Sequence, residues 1–476
     1  MKKNFIAGEW VASSRHTQNI NPSNLRDIVG DYAEASLDDV SDAIEAASHA
    51  FEAWSRRSPE DRGDILDRIG IELFDRRDEL GRLLAREEGK TLPEAVGEVN
   101  RASRVFRYFA GEALRIQGEW LPSIREGVDI EIRREAEGVI GVITPWNFPI
   151  AIPAWKIAPA LAFGNCVIFK PAELTPGMAW ALTEIISRSG IPPGVFNLVM
   201  GKGATLGAAI IGSGQVRGVS FTGSTRTGAL VAQACVSRGA KVQLEMGGKN
   251  PLIILADADL DLALEVAVNG AFYSTGQRCT ASSRLIVEDC VHDQFVAALA
   301  TRIKQLRVGD ALDPGVDLGP VVGADQLAID MKYIELGKRD GATLAVGGEA
   351  LSLEHEGFYL SPALFVGCEN TMTICREEIF GPVASVIRAS DYDHALSIAN
   401  DTEFGLSAGI CTTSLKYARD FKAKSTAGMV MVNLPTAGVD YHTPFGGRRR
   451  SSYGSREQGA YAKEFYTAVK VAYTRA

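Results

Sequence analysis

"GVSFTGSTRTGALVAQACVSRG", residues 218–239, carries the reading of the fold. An apolar strand-like run, 216–221, passes through Thr222, Gly223 and Ser224 into a helix-like segment. A glycine in such a turn allows close backbone approach, and the following helix offers free N–H groups to a phosphate. Many strand-to-helix turns have Gly and Ser with no ligand, so this stretch alone is at least as readily structural.

The same rhythm extends outward. "GVIGVITPWN" (138–147), "CVIFKPAE" (166–173) and "VFNLVMGKG" (195–203) are short β-type runs, and helix-like segments such as "GMAWALTEIISRSG" (177–190) lie between some of them. Strand and helix in alternation predict an α/β protein with a doubly wound parallel sheet. A second series begins after 250 with "PLIILADADLDLALEVAVNGAF" and "SRLIVED" and continues to about 440. The first third reads helical. "SLDDVSDAIEAASHAFEAWSRRS" has Ser36 as N-cap, Pro59 opens the next helix, and "PEAVGEVNRASRVFRYFAGEALR" (93–115) is a third. "DIEIRREAE" alternates, as an exposed strand or hairpin does, and the tail "EFYTAVKVAYTRA" is strand-like.

Length and composition bound the function. A chain of 476 residues suggests about three domains. With 46% apolar and 23% charged residues it reads as a soluble globular enzyme. A net charge of −9 argues against nucleic-acid or anionic-membrane partners. The seven cysteines are scattered at 166, 235, 279, 290, 368, 375 and 411, which suits a reducing compartment rather than a disulfide framework. No CxxC-type spacing suggests zinc. "MKKNFIAGEW" lacks an apolar signal core, and no apolar run reaches the roughly 18 residues of a membrane span. The expected location is the cytoplasm.

Six further stretches offer chemistry, each with a plainer reading beside it. "GKGATLG" (201–207) narrowly misses the GxGxxG fingerprint and reads better as a turn. "FKPAELTP" puts Lys170 and Glu173 just after a strand, where α/β sheets bind ligands; a solvated loop is equally consistent. "TPWNFPIAIPAWK" has Asn147, whose amide can donate to a developing oxyanion, within what reads first as a packed Trp-Pro turn. "LEMGGKNP" has Glu245, a general base if burial raises its pKa, or else a salt-bridged surface residue. "GQRCTASSR" sets Cys279 among polar neighbours, with Arg278 adjacent; a nearby cation favours the reactive thiolate. "CREEIFGPV" pairs Glu377 with Glu378 before Phe380, for acid–base or diol-binding work or as an acidic turn.

In that order and at those separations, "PWNFP", "KPAELTP", "FTGSTRTG", "LEMGGKNP", "GQRC", "EEIFGPV" and "PFGGRRRSSYGSREQG" make the chain resemble the aldehyde dehydrogenase superfamily over essentially its whole length. Met246 stands where the family more often has Leu, a conservative departure. The resemblance implies an aldehyde dehydrogenase-like fold: a Rossmann-variant NAD(P)-binding domain from 1–114 and 138–247, a catalytic domain from 248–446, and bridging β segments, 115–137 and 447–476, that build a homodimer or homotetramer. It implies oxidation of an aldehyde to a carboxylic acid. Cys279 would be the nucleophile, Asn147 and the Cys279 N–H the oxyanion hole, and Glu245 the base that activates water. Cofactor contacts would come from Thr144, Trp146, Lys170, Glu173, Gly203, Gly223, Ser224, Glu378 and Phe380. Glu173 should favour NAD without excluding NADP. Glu457 matches a carboxylate sometimes implicated in proton relay, or forms a structural ion pair.

"IAIPAWKIAPAL", "STGQRCTASSR", "TAGVDYHTPFGG" and "SSYGSREQG" look most like bacterial 2-oxoglutarate semialdehyde dehydrogenases. A substrate with a distal carboxylate needs a cation in its pocket, and Arg278 is the first candidate, Arg104 the second. Succinate or glutarate semialdehyde, then an aromatic aldehyde, are the alternatives within the family. From other classes, a Cys-dependent acyl transferase or hydrolase and an idle structural protein stay open.

Overall fold

The computed structural model describes residues 1–475. Its first sheet has five parallel strands, in the spatial order Lys241–Glu245, Val216–Thr222, Val139–Ile143, Cys166–Lys170 and Phe196–Leu198. Numbered along the chain this is 5-4-1-2-3, the order of a five-stranded doubly wound sheet. Strand order reverses beside Val139–Ile143, and the crevice beyond the carboxyl ends there is where such sheets take ligands. These strands are nearly continuous apolar runs because helices cover both faces. Val139–Ile143 and Cys166–Lys170 are buried at every residue.

Strands Asn4–Ile6 and Glu9–Val11 extend one edge, and His16–Ile20 pairs with Ile28–Ala33 in a separate ribbon. The first third is therefore not purely helical. These strands are too short to show a period in the sequence. The helices that follow start as their caps dictate. Ser36 and Asp39 close a reciprocal capping box, and Pro59 occupies the first turn of the next helix. "GKGATLG" forms a single helical turn, Gly203–Gly207, leading into Ala208–Gly212.

A second sheet of seven strands runs Thr343–Val346, Ala363–Cys368, Val383–Ala389, Ser282–Glu288, Asn250–Ile254, Ser407–Cys411 and Met429–Val432, with only Thr343–Val346 antiparallel. A third sheet joins Glu119–Pro122, Val128–Ala136 and the tail strand Thr467–Arg475, all antiparallel. Its exposed side chains include Trp120, Val469, Val471 and Tyr473. The stretch 447–466, assigned from sequence to the bridging segments, goes elsewhere. Ser452–Tyr453 adds to the edge of the first sheet beside Lys241–Glu245. Gln243 Nε2 holds it there by donating to the carbonyls of Ser455 and Arg456. No helix among the described residues is long and apolar enough to cross a membrane.

One buried acid ties the second sheet to the loop 378–381. Asp330, on the helix Ala324–Arg339, is fully buried; its Oδ1 accepts from Gln326 Nε2 at 2.8 Å and its Oδ2 has no partner. Gln326 Nε2 also donates to the Ile379 carbonyl at 3.0 Å. Burial pushes the Asp330 carboxyl up to about 8. A carboxyl whose folded pKa exceeds its unfolded value stabilises least at high pH. Native Asp330 keeps a proton that the unfolded chain has lost, so stability falls as pH rises from the ordinary carboxylate range to about 8. Asp330→Asn removes that slope. Its Tm relative to the parent should be clearly higher at pH 9 than at pH 6 by calorimetry; parallel Tm–pH curves would refute this account.

Candidate active site

The crevice is built from strand ends. Thr144 follows Val139–Ile143, Lys170 ends its strand, and Thr222, Gly223 and Ser224 follow the strand quoted at the outset. Ser224 caps the helix Thr225–Ser237 by accepting from Thr227 N–H, so that helix presents its N-terminus to the crevice. The hydroxyls of Thr144 and Thr222 are buried without partners. Lys170 is buried, and its Nζ lies 3.6 Å from Glu173 Oε1. Burial holds the Lys170 amine below its usual range. Glu173 Oε1 also accepts from the Gly203 N–H at 2.6 Å.

Across the crevice, Glu378 Oε1 accepts from Gly248 N–H at 2.9 Å. A Cβ on Gly247 would sit 1.8 Å from the Glu378 carboxylate and push it out of this position. Burial raises the Glu378 carboxyl to about 7. Phe380 sits at φ 70° and meets Trp146 edge-on at 5.4 Å. Of the nine candidate cofactor residues, Lys170, Glu173 and Gly203 meet one another, Trp146 meets Phe380, and Thr144, Gly223 and Ser224 follow neighbouring strands of the first sheet. Unsatisfied hydroxyls, a helix N-terminus and carboxylates with remaining acceptor capacity suit a polar ligand with phosphates and sugar hydroxyls.

Cys279 is delivered by a strained turn. Ser274, Thr275 and Gly276 all have positive φ, at 52°, 54° and 67°. For a β-branched threonine this is a backbone outlier of about 1–3 kcal/mol, of the kind concentrated at working sites. Close packing enforces it, since a Cβ on Gly276 would lie 2.2 Å from the Gly381 carbonyl oxygen. Glu94 Oε1 fixes the start of the turn by accepting from the Ser274 N–H and hydroxyl. Asn147 reaches the same turn, its Nδ2 donating 2.9 Å to the Gln277 carbonyl. One amide hydrogen of Asn147 remains for a second acceptor. The Cys279 N–H faces its own thiol and donates to no other group among the described residues, while its carbonyl accepts from Asn250 Nδ2 at 2.8 Å.

The thiol is not activated by its neighbour in the chain. Arg278 turns away to Glu94, with Nη2 at 3.1 Å from Oε1, and to the Asn269 carbonyl and Oδ1, both at 3.3 Å. Burial pushes the Cys279 thiol up, and the carboxylates of Glu378 and Glu245 add to the effect. The sequence-based expectation of a cation-stabilised thiolate is corrected accordingly.

Glu245 ends the strand Lys241–Glu245 and is 2% exposed. Its Oε2 accepts from Ser452 Oγ at 2.5 Å, and burial, reinforced by Glu457, holds its carboxyl well above the usual range. Glu457 is ion-paired with Lys156, whose Nζ also donates to Ser220 Oγ at 2.9 Å. Ser452 and Lys156 lie within the quoted stretches "PFGGRRRSSYGSREQG" and "TPWNFPIAIPAWK", but no local pattern marks either as the partner of a buried carboxylate.

A cavity of about 510 Å³ opens onto Cys279. Phe148, Ile152, Trp155, Leu434 and Phe445 supply apolar wall. The helix Leu92–Glu112 contributes Glu94, Gly97, Glu98 and Arg101, which share one face at spacings of 3 and 4. Arg104, the second candidate anchor from sequence, is not on it. It lies about 60° round the helix from Arg101 and borders a separate surface groove with Asp67, Arg107, Tyr108 and Tyr441. Arg101 stands in the cavity instead, although no sequence motif marked it.

Comparison with known proteins agrees with this geometry. The model of the "Aldehyde dehydrogenase family" matches residues 10–472. An alpha-ketoglutaric semialdehyde dehydrogenase of Bacillus subtilis is 43% identical over 99% of this chain and 98% of its own length. A 2,5-dioxopentanoate dehydrogenase of Saccharolobus solfataricus is 40% identical over 98% of each chain. A betaine aldehyde dehydrogenase of Staphylococcus aureus, solved in complex with NAD+, superposes with a TM-score of 0.97 at 34% identity, over 100% of this chain and 95% of that one.

Proposed function

The chain belongs to the aldehyde dehydrogenase family, and we propose that it oxidises 2-oxoglutarate semialdehyde to 2-oxoglutarate with NAD through a covalent intermediate on Cys279. The observation that carries the mechanism is a cavity-facing Cys279 set after a strained turn, with the Asn147 amide bonded to that same turn.

The Cys279 thiol loses its proton to solvent through the open cavity. The thiolate then attacks the aldehyde carbon, forming the C–S bond of a thiohemiacetal and pushing negative charge onto the oxygen. The Cys279 N–H and the second Asn147 amide hydrogen stabilise that charge; such donors contribute about 3 kcal/mol each. The C–H bond breaks with its electron pair and the carbonyl re-forms as a thioester. NAD, bound when the enzyme works, supplies the acceptor for that hydride. Glu245 takes a proton from water as the water attacks the thioester, the C–S bond breaks, and the thiol and acid are released.

For the cofactor, the N-terminus of helix Thr225–Ser237, with Ser224 and Gly223, fits a pyrophosphate. Lys170 and Glu173 fit the adenosine ribose, with Gly203 beside them. Glu378, near Phe380 and Trp146, fits the nicotinamide ribose, and Thr144 lines the channel. A carboxylate at the position of Glu173 repels a 2′-phosphate, so NAD is favoured. The names of the relatives at 43% and 40% identity support the substrate. All seven cysteines are free thiols, which suits the cytoplasm. The apolar side chains on the three-stranded sheet suit a homodimer or homotetramer.

An aldehyde panel with both cofactors tests the reading. We expect kcat/KM to be highest for 2-oxoglutarate semialdehyde, above succinate and glutarate semialdehydes and benzaldehyde, and to be higher with NAD than with NADP. A clear preference for benzaldehyde, or for NADP, overturns the corresponding part.

A further inference from the structure

We infer that Arg101 is the residue that recognises the distal carboxylate of the substrate, holding an ω-oxo acid with its aldehyde toward Cys279; the inference rests on the semialdehyde reading above.

The cavity contains three cationic side chains, Lys90, Arg101 and Arg278. Two already have carboxylate partners. Lys90 Nζ is 2.7 Å from Glu98 Oε2 and also donates to the Asn147 carbonyl. Arg278 is paired with Glu94 and bonded to Asn269. Glu98 is occupied elsewhere and makes no ion pair with Arg101: Oε2 takes Lys90, and its other oxygen accepts from the N–H groups of Ile150 and Ala151, both at 3.1 Å.

Arg101 differs from both. Among the described residues it makes no ion pair, and its one side-chain hydrogen bond runs from Nη2 to the neutral Gln458 Oε1 at 3.1 Å. Its Nε is buried with no acceptor. Asp440 and Glu98 act on it through space, and neither is ion-paired with it. The guanidinium lies 5.7 Å from the centroid of Trp155, which stacks on Phe445 at 5.5 Å.

Two further donors around it are also unsatisfied. Gln458 Nε2 and Trp155 Nε1 are both buried without partners. Gln458 is held at φ 59°, an uncommon conformation for a side-chain-bearing residue. A guanidinium that borders a cavity with largely apolar walls and has no ion-pair partner is costly. A carboxylate entering that cavity satisfies the cost, and the planar guanidinium can donate two parallel hydrogen bonds to it. A neutral or aromatic aldehyde does not. The anchor thereby selects acids and, by fixing the far end, sets which carbon faces the thiol.

The test compares Arg101→Met and Arg101→Lys with the parent on 2-oxoglutarate, succinate and glutarate semialdehydes and on propanal. Arg101→Met should lower kcat/KM for the preferred acid 10- to 100-fold, mainly through KM, as expected for one lost charge-assisted interaction, and change propanal less than about 3-fold. Arg101→Lys should recover part of the loss. Glutarate, as a competitive inhibitor against propanal, should weaken by a similar factor in Arg101→Met. Arg278→Met, which strands Glu94 and loosens the turn before Cys279, should lower acids and propanal together. Unchanged propanal kinetics certify that the variant is folded.

If Arg101→Met keeps the acid preference, or loses acid and propanal activity equally, the anchor is wrong while the substrate reading stands. If the parent itself shows no preference for any acid over propanal, both fall. A parent preferring succinate semialdehyde, with that preference lost in Arg101→Met, retains the anchor and overturns only the identity of the substrate.

Discussion

Cys279→Ser is expected to lower kcat/KM for aldehyde oxidation by about 10⁴-fold or more, the scale seen when a covalent nucleophile is removed. That corresponds to about 5.5 kcal/mol of transition-state stabilisation. The substitution is nearly isosteric, and the turn at Ser274–Gly276 is held by Glu94 and by packing on Gly381, not by the thiol. The fold and cofactor affinity should therefore survive, which NADH titration would establish. Serine fails for a chemical reason. Burial and the carboxylates of Glu378 and Glu245 already push the thiol above its usual range, and a hydroxyl starts several units higher. The same cause fixes the pH dependence. A thiol whose pKa is raised has a thiolate fraction that still climbs above pH 9, so alkylation of Cys279 by iodoacetamide should be slow at pH 7 and accelerate through pH 9 and beyond. Cys290 is exposed, so labelling must be located by peptide mass spectrometry. A Cys279→Ser enzyme retaining a tenth of parental activity would falsify the covalent mechanism. Fast alkylation at pH 7 would contradict the electrostatics.

The sequence revealed the chemistry of this site better than its support. The alternation of strand and helix from 138 onward specified a doubly wound sheet, because buried parallel strands show as apolar runs and the Gly223–Ser224 turn marks where strand becomes helix. Asn147, Glu245 and Cys279 could be singled out because each lies in one of the short stretches "TPWNFP", "LEMGGKNP" and "GQRCTASSR", which in sequence order resemble the aldehyde dehydrogenase superfamily. Their surroundings could not. Ser452 reaches Glu245 from 207 residues away, and Glu94 holds Arg278 from 184 away. Such pairings depend on how the sheet edge and the helix Leu92–Glu112 pack, which no local pattern encodes. The arginine question shows the same limit. Adjacency to Cys279 made Arg278 the natural anchor, but adjacency along a chain does not say which way a side chain points. Arg101 and Arg104 are three residues apart on one helix, and only the tertiary packing decides that Arg101 lines the cavity and Arg104 a different groove.

Glu245→Gln should separate the two halves of the reaction. The thioester forms without help from Glu245, so the first turnover should release one equivalent of NADH per active site at a rate no slower than that of the parent. Hydrolysis then stalls, and kcat should fall about 10²- to 10⁴-fold, the usual range for a general base. An acyl adduct on Cys279 should accumulate and be visible by intact-mass measurement. Hydroxylamine, a nucleophile that needs no base to attack a thioester, should restore turnover and yield the hydroxamate. Glutamine can still accept from Ser452 Oγ through its amide oxygen, so the hydrogen bond at 2.5 Å need not be lost. The pH profile adds an independent readout. Burial and the Glu457 charge raise the Glu245 carboxyl, so more of it becomes the active carboxylate as pH rises, and parental kcat should climb with pH above the ordinary carboxylate range. Glu245→Gln should lose that limb. Glu457 is the alternative base, but it is fully buried and its Oε1 is committed to Lys156. Glu457→Gln should therefore accumulate no acyl-enzyme. If Glu245→Gln turns over steadily without an adduct while Glu457→Gln accumulates one, the roles are reversed, and Glu245 instead holds the position of Ser452 and the sheet edge beside it.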